Sequence, residues 1–165
     1  MLRQIQKRMQ TCKLQLHPEK TKIVNVRGFS EKKYPKGYDF LGFTIQPSSY
    51  KHPNKSEVKT IPSLFVSRKS KSSILAKFRE LQIHKKRKTL EEVAKDLNPM
   101  IRGIINYYHK FRKSDMREIW WQLNIRLLKW VKWEKGLYKK ASVTYLRTRY
   151  KENPRLFAHW SLVCP

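Results

Sequence analysis

Phosphoryl transfer assisted by two metal ions needs clustered carboxylates, because each ion must be held by hard oxygen ligands. The 12 Asp and Glu of this sequence are few and scattered. Glu91 and Glu92 follow Thr89 in the pattern of a capping box. Asp115 and Glu118 fall where the first turn of a helix favours negative charge. His17, His52, His84, His109 and His159 are not paired at ligand spacing, and His109 reads as a surface or RNA-contacting ring. Cys12 and Cys164 lie near opposite ends without a Cys-x-x-Cys, so neither a zinc site nor a disulfide framework is readable. A Gly-rich phosphate loop and a Gly-x-Ser-x-Gly elbow are also missing. Read by itself, the sequence holds no complete active site and no metal site.

What remains is binding. The 165 residues include 38 Lys+Arg against 12 Asp+Glu, a formal net charge of +26. Such a charge repels itself in a compact state unless a polyanion neutralises it, which points to nucleic acid first and an anionic membrane second. Five Trp, eight Tyr and seven Phe argue against a disordered basic tail. Basic residues are spread at nearly equal density over residues 1–69 and 70–165, so no basic arm is attached to a neutral body. Arg126, Lys129 and Lys132 can neutralise phosphates along one helix face. Trp133, among them, could stack on an unpaired base or pack against a neighbouring helix. The run Lys85, Lys86, Arg87 and Lys88 reads as a phosphate contact. No apolar run reaches the length of a membrane span and no signal peptide is readable, so the expectation is a reduced, cytoplasmic chain without a membrane partner.

The elements that must position these residues follow from periodicity. Leu2, Ile5, Met9 and Cys12 predict a helix to about Leu16, stopped by His17-Pro18. Thr21 to Val26 alternates and is β-branched, which predicts a strand, and residues 27–37 predict a loop. Tyr38 to Ile45 predicts a second strand, with Gly42 at a bulge or a close backbone approach. Residues 46–60 read as an exposed loop and Leu64 to Ser67 as a short third strand. The period then becomes helical. Ser70 or Ser72 caps a helix carrying Ile74, Leu75, Phe78 and Leu81. Thr89 opens a short helix, and Asn98-Pro99 starts another with Asn98 as N-cap. Its apolar face is Ile101, Ile104, Ile105, Tyr108 and Phe111. From Ser114 to about Lys135 the longest helix stacks Met116, Trp120, Leu123, Leu127 and Val131 on one side, and Gly136 ends it. A last helix covers about Ala141 to Tyr150.

Two regions resemble a known family. His17-Pro-Glu-Lys-Thr-Lys-Ile-Val24 with Tyr38-Asp-Phe-Leu-Gly-Phe43 is similar to the end of the palm of group II intron-encoded reverse transcriptases. Leu97-Asn-Pro-Met-Ile-Arg-Gly-Ile-Ile-Asn-Tyr-Tyr108 and Leu156-Phe-Ala-His-Trp160 resemble their maturase-specific (X, or thumb) domain. The resemblance implies an α+β chain: a small antiparallel palm remnant over residues 1–69, then an all-α helical thumb bundle over 70–165. It implies that Lys20 lies near the incoming nucleotide's phosphates and that Phe40, Leu41, Gly42 and Phe43 form the primer grip. It places Arg102, Asn106 and Lys110 on the thumb surface that holds RNA, with Gly103 serving close packing or close backbone approach. Ile104 stands where the family usually has Trp.

The family's Tyr-x-Asp-Asp metal site is not in this sequence, so polymerisation by this chain alone is not expected, and Mg is expected only in a complete polymerase. Three functions are in play. The first is an RNA-binding maturase module that assists folding and splicing of group II intron RNA. The second is the palm and thumb portion of a split polymerase, gripping a template–primer duplex beside a separate fingers–palm polypeptide. The third is an inactive, truncated relic.

Overall fold

The computed structural model describes residues 2–19, 21–26, 35–51, 58–85 and 87–165. Lys20 and Lys86 lie outside the described residues, as does most of the loop expected at 27–37. The elements are α1 (Leu2–Thr11), β1 (Tyr38–Phe40), β2 (Phe43–Lys51), β3 (Val58–Val66), α2 (Arg68–Glu80), α3 (Leu90–Tyr108), α4 (Arg117–Lys135) and α5 (Lys139–Glu152). The architecture is α+β, with three strands paired in the order β1-β2-β3. Contacts gather the chain into two compact units, one of Met1–Tyr38 and Gln46–Ser63, the other of Asp39–Ile45 and Leu64–Pro165.

In the first unit α1 ends at Thr11, short of the expected Leu16, and Lys13 turns the chain with a φ of 57°. The strand expected over Thr21–Val26 does not form. β-branched residues stabilise a strand only when a neighbour completes the ladder. Here Asn25 instead donates its backbone N–H to the Pro35 carbonyl at 3.0 Å. Much of the polar stretch 46–60 is strand rather than loop, since β2 reaches Lys51 and β3 begins at Val58.

The second unit holds the main core. Gly42 marks a turn and not a bulge. Leu41 and Gly42 have φ of 47° and 80°, the pair of positive values that a type I′ hairpin requires. β1 and β2 are thus joined by two residues, where the sequence suggested one strand. Ser67, one residue past β3, caps α2 by accepting from the Ser70 N–H at 3.1 Å, displacing Ser70 and Ser72 from that role.

Thr89 caps α3 in a complete capping box with Glu92. α3 then runs unbroken through Pro99. Asn98 is not an N-cap: its Nδ2 donates to the Leu156 carbonyl at 2.9 Å and its Oδ1 accepts from the Ala158 N–H at 2.9 Å. These tertiary bonds occupy the side chain that would otherwise start a new helix. A proline inside a helix costs about 3 kcal/mol. The burial of Leu97 and Ile101 on either side offsets that cost, at roughly 1.5–3 kcal/mol for each such side chain.

α4 is the central element. Ile119, Trp120, Leu123, Leu127, Trp130 and Val131 are all buried, so this helix is covered on more than one side. Gly136 ends it with a φ of 62°. A 3₁₀ turn at Lys113–Met116 precedes it, and there Asp115 Oδ2 accepts from the Val66 N–H at 2.9 Å. Asp115 thereby ties the end of β3 to the helical unit. Phe157 and Trp160 close the core from the C-terminal segment.

Candidate nucleic-acid interface

On α4 the positions Gln122, Arg126, Lys129 and Trp133 recur at four, three and four residues, which places them on one stripe away from the buried face. α2 and the 3₁₀ turn Ile83–Lys85 supply the facing wall, with Phe78, Arg79, Gln82, Ile83 and His84. Together with Ile125 they line a groove of about 510 Å³. Phe78 and Ile83 close its floor and are buried. Trp133, at 52% exposed, does not pack as a core residue.

The groove is cationic with no carboxylate among its lining residues. Arg126 is half-buried, and its Nη1 donates to the Gln122 carbonyl at 2.9 Å. Burial lowers its pKa from the ordinary arginine value, and the positive charge of Arg79 lowers it further. A guanidinium keeps its proton throughout the physiological range. The two arginines therefore face the groove as like charges, an arrangement that an anion relieves.

Three of the residues singled out in the sequence, Arg126, Lys129 and Trp133, thus converge here. Lys132 is exposed on α4 but is not part of the lining. The sequence reading missed Arg79, Gln82, His84 and Gln122. Gln122 carried a signal, one turn before Arg126. The others come from a different helix and turn, and no spacing relates them to α4.

The basic connector is divided. Lys85 and Arg87 are exposed, whereas Lys88 Nζ is paired with Asp96 Oδ2 at 2.8 Å. That hydrogen bond, and then the carboxylate charge, raise the pKa of Lys88. Its charge is already partly answered within the chain.

A second exposed surface lies on α3. Arg102, Gly103 and Asn106 are exposed, with Lys110 just beyond the helix end, while Leu97 and Ile101 on the opposite side are buried. Among the described residues Gly103 serves no close packing, since a Cβ placed there meets nothing within 4 Å. Ile104 stays on the apolar face and packs against the core. Burial lowers the pKa of His109, and the charge of Lys113 adds to that. Among the described residues no three His, Cys, Asp or Glu come together as metal ligands.

The third surface is the hairpin tip. Phe40 and Leu41 are exposed, at 60% and 67%, but Phe43 is buried. Phe43 packs on Tyr107, Tyr108 and Phe111 with ring centroids 5.8, 5.5 and 5.1 Å away. The Leu41 carbonyl accepts from the Tyr107 hydroxyl at 2.8 Å. The Gly42 carbonyl accepts from the Ser67 N–H and the Ser70 hydroxyl, both at 3.0 Å. Of the four residues expected to form a grip, Phe43 and Gly42 anchor the tip, and Phe40 and Leu41 are the ones presented.

Compared with known proteins, residues 71–152 match the family model described as "Group II intron, maturase-specific domain". No curated protein and no solved structure matches the chain. Among the described residues no helix is long and apolar enough to cross a membrane.

Proposed function

We propose that this chain, whose residues 71–152 match the family model described as "Group II intron, maturase-specific domain", is an RNA-binding maturase module. It grips structured intron RNA through basic surfaces of its helical unit and favours the splicing-competent fold, with the RNA performing the chemistry. The observation that carries the reading is the α2–α4 groove, where Arg79, Arg126 and Lys129 meet Trp133 without a carboxylate in the lining. Phosphate neutralisation by such side chains is strong, salt-dependent and largely blind to sequence. The exposed Gly103 between Arg102 and Asn106 supports a second contact, because glycine in a helix interior costs about 0.5–1 kcal/mol relative to alanine and nothing among the described residues requires it.

The test is binding of the full chain to a structured group II intron RNA across a salt series, together with the splicing rate at limiting magnesium. Affinity is expected to fall steeply with salt, and splicing to quicken when protein is added. Binding no tighter than that of a neutral protein, at every salt concentration, overturns the proposal.

The hairpin tip favours a second reading, in which the chain grips a template–primer duplex within a split polymerase. Phe40 and Leu41 are presented on a backbone clamped by Tyr107, Ser67 and Ser70. In that case Mg and the paired aspartates belong to the separate fingers–palm polypeptide. Primer extension by such a polypeptide should then rise on addition of this chain and not on addition of a Phe40→Ser, Leu41→Ser variant.

A further inference from the structure

The groove between α2 and α4 contains features that phosphate contact alone does not require. A surface built only to neutralise a duplex backbone needs exposed lysines and arginines along its rim. This one also has an indole presented beside aliphatic side chains, two amide side chains in its walls, and a volume of about 510 Å³. That volume lies within the range of small-ligand pockets.

Gln82 adds an independent observation. It sits just past the end of α2 with a φ of 42°, in the left-handed region that favours glycine. Its N–H donates to the Arg79 carbonyl at 3.1 Å, which satisfies the helix end. Glycine would make the same bond without strain, whereas a glutamine here is held in a conformation unfavourable for any side chain. What glutamine supplies and glycine cannot is a side-chain amide on the groove wall, able both to donate and to accept.

Resting on the RNA-binding reading, we propose that the groove holds a single unstacked RNA nucleotide. The base lies against Trp133 and Ile125, Gln82 and Gln122 are within the same groove to meet its edge, and the phosphate lies between Arg79 and Arg126. A paired base keeps both faces in the stack and cannot offer one to an indole, so only unpaired nucleotides at bulges, loops or ends fit. The arginine pair explains the polarity of the site: like charges facing a groove without carboxylates are relieved by a phosphate. The module therefore distinguishes RNA by unpaired positions, beyond its general attraction to the backbone.

The experiment compares the full chain on two labelled RNAs, a blunt duplex and the same duplex with a three-nucleotide bulge, by fluorescence anisotropy at one salt concentration. The bulged RNA is expected to bind about tenfold tighter, the scale of one base stacked on an aromatic ring. Trp133→Ala should abolish the preference, so that the two RNAs bind alike, and Trp133→Phe should retain most of it. Because Trp133 is exposed, the Ala variant is expected to keep its melting temperature. Equal binding of both RNAs by the native chain overturns the pocket and leaves the RNA-binding reading standing. A Trp133→Ala variant that keeps the same preference for the bulged RNA likewise overturns the pocket, since the indole then has no part in it. Failure of the native chain to bind either RNA overturns both.

Discussion

The Nε2 atom of His159 lies 2.8 Å from Oδ1 of Asn124, inside the core of the helical unit. Asn124 Nδ2 donates to the Cys164 carbonyl at 3.4 Å, so its oxygen is the free acceptor and the histidine is the donor through Nε2. Trp120 stacks on the ring at 5.7 Å. One buried imidazole thereby links α4 to the C-terminal segment.

Burial pushes the pKa of His159 down to about 3. The unfolded chain binds this proton at an ordinary pKa near 6.5, and the folded chain does not. The stability tied to the neutral ring is therefore complete above about pH 6.5 and is lost as pH falls toward 3. Between pH 6.5 and 5 this single group should cost about 2 kcal/mol. Urea unfolding of the native chain and of His159→Gln at both pH values checks it. The native chain should lose that much more than the variant, and parallel losses would rule out the linkage.

Gly42→Ala should destabilise the helical unit by about 1–3 kcal/mol. Its φ of 80° is unfavourable for any side chain, and a Cβ would lie 2.9 Å from Ser70 Oγ and 3.2 Å from the Tyr108 hydroxyl. The clamp on the hairpin tip would have to open. A melting curve that coincides with the native one would show that the tip is not held in this way.

Gly103→Ala should act in the opposite direction on stability. With open space around the position, alanine should raise helix stability by about 0.5–1 kcal/mol. If an RNA backbone approaches here, the same methyl weakens RNA binding. A variant that melts higher and binds RNA less tightly is the expected outcome. Unchanged affinity would remove this part of α3 from the interface.

Replacing Arg79, Arg126 and Lys129 together by Gln should flatten the slope of log affinity against log salt by about two, as three phosphate contacts are lost. Lys132→Gln alone, outside the groove, should change the slope by less than one. Equal slopes for the native chain and the triple variant would exclude the groove from phosphate binding.

Much of this molecule was legible in the sequence because helical periodicity and capping are local. The buried face of α4, the Thr89 capping box and the stop at Gly136 follow from residues within a few positions of one another. So did the expectation of a polyanion partner, since a charge of +26 needs no fold to be counted. The resemblance of Leu97 to Tyr108 was legible too, and the family match spans that helix. What depended on distant partners was not. Thr21–Val26 has the residues of a strand but does not form one, and Asn98 has the form of a cap but is bonded to Leu156 and Ala158. The two-residue turn at Leu41–Gly42 was hidden because a leucine with positive φ gives no local signal, and it persists only under the clamp from Tyr107, Ser67 and Ser70. The groove shows the same division. One stripe of α4 could be read from spacing, but only packing brings Arg79 and Gln82 across from it. Charge and periodicity are properties of the chain, while a concave site exists once two surfaces distant in sequence are held face to face.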